Sequence, residues 1–117
     1  MEILNAVCSL SALAHPGRLE SFRLLVRAGP EGMSAGDLAR ATGSLANTLS
    51  SNLAILTSAG LASSERVGRS VIYRADYEKM RSLLAYLVDD CCGGHPEICA
   101  ALPQLKFAKN LATSSIG

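Results

Sequence analysis

The sequence predicts a mainly α-helical domain carrying one small β-hairpin, and three observations predict it. Apolar residues recur at three- and four-residue spacing in several separate stretches, the mark of helices with one buried face. Between Ser34 and Gly60 a short helical stretch, a glycine-bearing turn and a longer helical stretch with a polar, uncharged outer face follow one another. After Gly60 the period shortens, and two runs with β-branched or aromatic members flank Gly68 and Arg69.

In chain order, the first helix is expected from Ile3 to Ala14, with Ile3, Val7, Leu10 and Ala14 along one side. Pro16 suits the first turn of a second helix, because the N–H it lacks is one that a helix start leaves unbonded. That helix, Pro16 to Ala28, is expected to bury Leu19, Phe22, Leu25 and Val26 and to turn Arg18, Glu20, Arg23 and Arg27 outward. His15, just before Pro16, reads as a helix-junction residue and not a ligand. Gly29, Pro30 and Gly32 break the chain. Ser34 followed by Asp37 resembles a capping box with the shorter acid, opening a third helix that holds Leu38, Ala39 and Ala41 and stops at Gly43.

The fourth helix, read from Thr42 to Gly60, takes Ser44 as its N-cap and Gly60 as its stop. Leu45, Leu49, Leu53 and Leu56 form its inward stripe. Its outer residues, Ala46, Asn47, Thr48, Ser50, Ser51 and Asn52, are small or hydrogen-bonding, where an ordinary solvated helix would show Glu and Lys. Such a surface can approach base edges and phosphates without bulk or repulsion. A short helix, a turn and a longer polar-faced helix make the helix-turn-helix pattern, whose second member enters the major groove. The competing reading is a merely polar amphipathic helix.

Leu61 to Val67 and Ser70 to Ala75 then form the hairpin, the wing of a winged helix-turn-helix. Arg66 and Arg69 flank its tip, where long cationic side chains reach phosphates or a narrow minor groove. A solvated tip is the alternative. Asp76 caps a fifth helix, Tyr77 to about Asp90, whose Met80, Leu84 and Leu87 line a stripe that continues to Cys91. The candidate DNA contacts are therefore Ser44, Ala46, Asn47, Thr48, Ser50, Ser51, Asn52, Arg66 and Arg69.

Composition bounds these readings. A chain of 117 residues, 49% of them hydrophobic, suits one domain with a modest core and argues against disorder. The formal net charge is only +1, so nucleic-acid binding has to come from local placement of Arg and Lys. No run of eighteen apolar residues occurs, and Glu2 stands where an export signal would carry basic residues, so a cytoplasmic protein without membrane contact is expected. The four cysteines then read as thiols poised for a ligand and not as a disulfide framework.

Three segments, LAHPGRLESFRLL, LSSNLAILTSAGL and VGRSVIYR, together resemble the ArsR-type (ArsR/SmtB) winged-helix repressors, the bacterial metal- and metalloid-sensing family. The resemblance covers about residues 10 to 77. It implies a homodimer formed through the first and last helices, bound to an inverted-repeat operator in double-stranded DNA; the apolar stripes supply surfaces for that pairing. The chain departs from the family pattern at Asn52, where a histidine is usual, and at Ala46, where a glutamine is common. Asn can still read adenine.

Sensing must be read from this chain, because the family uses different sites. The third-helix segment MSAGDLARA lacks the cysteines of one family site, and the fifth-helix span, with Asp76, Glu78, Asp89 and Cys92, lacks the histidine of another. What remains is CCGGHPEIC. Cys91 and Cys92 close the fifth helix, Gly93 and Gly94 let the chain reverse, and Cys99 returns, so three thiolates can meet one soft ion. The resemblance points to trivalent arsenic or antimony, which take three sulfurs in a pyramid. Zinc or cadmium on a Cys3His set with His95 stays open, as does thiol oxidation. Against oxidation, the helix's negative end and Asp89 and Asp90 make these thiols harder to deprotonate. Cys8 is expected to be a small core or interface residue.

An enzyme is not expected: no phosphate-cradling glycine loop precedes a helix, and no cysteine sits at a helix N-terminus. The rival is a DNA-binding or protein-interaction module with no metal response. Two regions are expected, residues 1–92 for DNA binding and dimerisation and residues 93–117 for the cysteine loop and tail.

Overall fold

The computed structural model describes residues 1–88: α1 (Ile3–Leu13), α2 (Pro16–Ala28), β1 (Met33–Ser34), α3 (Ala35–Thr42), α4 (Ala46–Ser58), β2 (Ala62–Val67), β3 (Ser70–Ala75) and α5 (Tyr77–Val88). Two compact units divide the chain, Met1–Leu83 and Leu84–Gly117, and the packing below is that of the first. No helix among the described residues is long and apolar enough to cross a membrane.

Local chemistry starts most of the helices. His15 is extended, and its Nδ1 accepts from the N–H groups of Gly17 at 3.0 Å and Arg18 at 3.4 Å, capping α2. Arg18 turns back to donate to the carbonyls of Ala12 and Ser11, which closes the end of α1. Ser34 Oγ accepts from Asp37 N–H at 3.1 Å, and Asp76 Oδ1 accepts from Lys79 N–H at 2.9 Å, as the capping pattern predicts. Helix α1 has no side-chain cap, and neither has helix α4. Its N-cap is Leu45, with no side-chain bond, and not Ser44, whose N–H donates to Thr42 Oγ1 at 3.3 Å.

Leu25, Leu38, Leu53, Leu56 and Leu61 are fully buried and join Phe22, Leu49, Ala59, Ala62 and Ala75 in one core beneath α2, α3, α4 and the sheet. Truncating any of these leucines to Ala should cost about 2–5 kcal/mol. The apolar stripes and the core coincide only in part. Helix α1 buries Ala6, Ser9 and Ala12 and leaves Ile3 (65%), Leu4 (73%) and Val7 (54%) exposed, because α1 lies against α2 and α4 on its small-residue side. Leu19 is exposed at 45% and Leu45 at 75%, so neither belongs to the core. In α5, Leu83 is buried and Met80 packs on the core, whereas Leu84 is half-buried and Leu87 exposed.

The sheet has the order β1-β3-β2, all antiparallel, with Ala62 opposite Ala75 and Val67 opposite Ser70. Its third strand, β1, is absent from the sequence reading; Met33 pairs with Tyr73 and Ser34 with Ile72. Gly32 makes that pairing possible. Its φ is +73°, and a Cβ there would stand 2.4 Å from the Tyr73 carbonyl oxygen. Beside it, Arg74 Nε donates to the Pro30 carbonyl at 2.9 Å and Nη1 to Glu65 Oε1 at 2.8 Å, so one side chain ties the hairpin to the turn after α2. Tyr77 Oη donates to the Val26 carbonyl at 3.1 Å and ties α5 to α2.

Candidate nucleic-acid interface

Helix α3, the turn Gly43 to Leu45 and helix α4 form the helix-turn-helix, held by Leu38, Leu49 and Leu53. Along α4 the inward residues are Leu49, Asn52, Leu53 and Leu56, a helical repeat of three and four. The outward residues Ala46, Asn47, Thr48, Ser50 and Ser51 are exposed, as the sequence predicts, and Ser44 is half-buried in the turn. Asn52 is the correction: only 6% exposed, it lies on the inward side. The stripe is phased from Leu49, and Leu45 falls outside it.

Helix α4 carries no charged residue from Ala46 to Ser58, so its outer face is a surface of hydroxyl, amide and methyl groups. Such groups read base edges through hydrogen bonds and methyl contacts. Arg66 ends β2 opposite Val71, and Arg69 occupies the turn with Gly68; both are exposed, and neither takes part in an ion pair among the described residues. The acid nearest in sequence, Glu65, is engaged by Arg74. The wing tip is therefore locally cationic, as phosphate contact requires. Sequence reasoning missed Arg74, because its partner Pro30 lies 44 residues away and no local pattern signals it.

Cys8 is exposed on α1 and is not a core residue; with Arg18 and Ile55 it lines a hollow of about 370 Å³. Among the described residues no group of three His, Cys, Asp or Glu side chains gathers as a metal site. Cys91, Cys92, His95 and Cys99 lie outside the described residues.

Residues 13–65 match a family described as a helix-turn-helix domain. The chain is 34% identical over 88 residues to the HTH-type transcriptional regulator YgaV of Escherichia coli (strain K12), a match spanning 75% of this chain and 87% of the relative. Among solved structures, it is similar to a homodimeric winged helix-turn-helix DNA-binding domain from Mycobacterium bovis, a possible ArsR-family transcriptional regulator. There the TM-score is 0.60 at 29% identity, covering 78% of this chain and 84% of that one. A possible transcriptional regulator for arsenical resistance gives the same TM-score and identity, covering 68% of this chain and 79% of that one.

Proposed function

This chain belongs to the ArsR family of helix-turn-helix transcriptional regulators, and on that premise we propose that it is a homodimeric repressor released from its operator by trivalent arsenic or antimony. The observation that carries DNA readout is the uncharged, exposed face of α4 together with Arg66 and Arg69, which make no ion pair among the described residues. Ser44, Ala46, Asn47, Thr48, Ser50 and Ser51 face the operator. Homodimerisation is supported by the exposed apolar residues of α1, which the first unit leaves without a partner, and by the homodimeric Mycobacterium bovis relative.

Inducer binding rests on the segment CCGGHPEIC and on the similarity to a possible transcriptional regulator for arsenical resistance. Thiolates are the soft ligands that trivalent arsenic and antimony prefer, and Cys91, Cys92 and Cys99 supply three. Release requires that the inducer favour a conformation whose recognition helices no longer fit the operator. A coupling of about 1–3 kcal/mol corresponds to roughly 5- to 150-fold weaker DNA binding.

The test is an operator-binding titration with trivalent arsenic, antimony, zinc and cadmium on the wild type and on Cys91→Ser, Cys92→Ser and Cys99→Ser. Arsenic should release the wild type and lose its effect in each variant. Release that persists in all three sinks the three-sulfur site. Release by zinc alone, dependent on His95, replaces it with a Cys3His site, and affinity indifferent to every ion leaves a DNA-binding regulator without a metal response.

A further inference from the structure

We propose that the first turn of α2 and the Asn52 amide form a cradle for one backbone phosphate of duplex DNA. The proposal rests on the DNA-binding reading and adds to it a contact outside the recognition face. Its centre is Gly17. A Cβ at Gly17 would stand 2.8 Å from Asn52 Nδ2, 3.2 Å from His15 Cε1 and 3.4 Å from His15 Nδ1, so the amide and the imidazole converge on the start of a thirteen-residue helix.

Asn52 is 6% exposed, and its amide has no hydrogen-bond partner among the described residues. The amide is left to water, a partner that a phosphate oxygen replaces. The amide is not sealed in. Ser9 Oγ is the one fully enclosed polar side-chain atom without a partner among the described residues, so the Asn52 amide keeps a path outward.

The groups present are donors. Because His15 Nδ1 accepts from Gly17 and Arg18 N–H, the ring proton sits on Nε2, which donates outward from an exposed side chain. Asn52 Nδ2 adds a second donor, and the helix N-terminus adds positive potential. Arg18 is held on the carbonyls of α1. Asn52 stands one helical turn beyond Thr48 but on the inward side of α4, facing α2 and not the base edges. When α4 enters a major groove, that side meets the groove wall, where the phosphates run.

The experiment scans an operator duplex with single methylphosphonate substitutions, each removing the charge of one phosphate. Wild type, Asn52→Ala, Asn52→Ser and His15→Asn, which retains a capping oxygen, are compared. One phosphate should weaken wild-type binding about tenfold when neutralised, the size of one hydrogen bond to a charged group. Asn52→Ala should lose about the same on operator and on random duplex, and then be indifferent to that substitution. Wild-type affinity in the Asn52 and His15 variants, or losses that add to the methylphosphonate effect, removes the cradle and leaves DNA binding standing. Loss on operator alone makes Asn52 a base reader and overturns the proposal. A wild type that binds no duplex instead overturns the DNA reading itself. If Asn52→Ala melts early, coupling between His15→Asn and the same phosphate decides.

Discussion

Arg74 is the side chain whose removal should unfasten the wing without touching either its tip or the core. Its guanidinium donates to the Pro30 carbonyl at 2.9 Å and to Glu65 at 2.8 Å, and its Cγ lies 2.7 Å from the position a Cβ on Gly32 would take. A charged donor on a carbonyl is worth about 1.5–3 kcal/mol in a protected site, but the Arg74 side chain is 34% exposed, which lowers that figure. The Glu65 partner is 59% exposed, so the ion pair adds at most about 1 kcal/mol. With some lost packing of the stem, Arg74→Ala should cost about 1–2 kcal/mol and Glu65→Ala less than about 0.5 kcal/mol. Urea unfolding at one fixed protein concentration measures both. Arg74→Lys keeps the charge without the two-pronged geometry and should recover less than half of the loss. Equal costs for Arg74→Ala and Glu65→Ala would refute the carbonyl anchor, as would an Arg74→Ala loss within about 0.3 kcal/mol of zero.

Two further outcomes are expected. Val7→Glu places a charge on the exposed side of α1, opposite Ala6 and Ser9, and should shift a dimer to monomer in sedimentation equilibrium while leaving the far-ultraviolet spectrum unchanged; an unaltered dimer would move the interface away from α1. Asn47→Ala and Thr48→Ala should weaken operator binding more than random-duplex binding, whereas Arg69→Ala should weaken both and lower the salt slope by about 1; equal losses in all three would remove base readout from α4.

What was legible in the sequence is what local chemistry decides. Ser34 and Asp76 cap their helices through bonds that span three residues, so neighbouring residue types announce them, whereas His15, read only as a junction residue, proves to cap α2 across two and three. The hairpin turn at Gly68 and Arg69 is equally local. The α4 N-cap, Leu45 in place of Ser44, is a local miss; the other failures are decisions made by distant parts of the chain. Strand β1 has only two residues and exists because Tyr73 and Ile72 arrive beside it. The stripe of Ile3, Val7 and Leu10 stays on the exposed side of α1, because the close approach of α2 and α4 admits only Ala6, Ser9 and Ala12. On α4 a leucine every fourth residue drew Leu45 into the stripe, while the helical repeat selects Asn52. Residue type placed Asn52 with the readers; geometry places it behind them. The inducer residues Cys91, Cys92 and Cys99 rest on sequence chemistry alone.

The absence of charge from Ala46 to Ser58 separates two tasks that many DNA-binding helices combine. Finding a site is governed by cations that exchange with the counterions around the duplex, and on the proposed reading those cations sit on the wing. Choosing a site falls to hydroxyls and amides, whose contacts release no counterions. A rise in cellular ionic strength would then shorten each visit to DNA and slow the search, while the preference for the operator over any other sequence stays where it was. Regulators of this build would keep their address under osmotic stress while holding it less tightly.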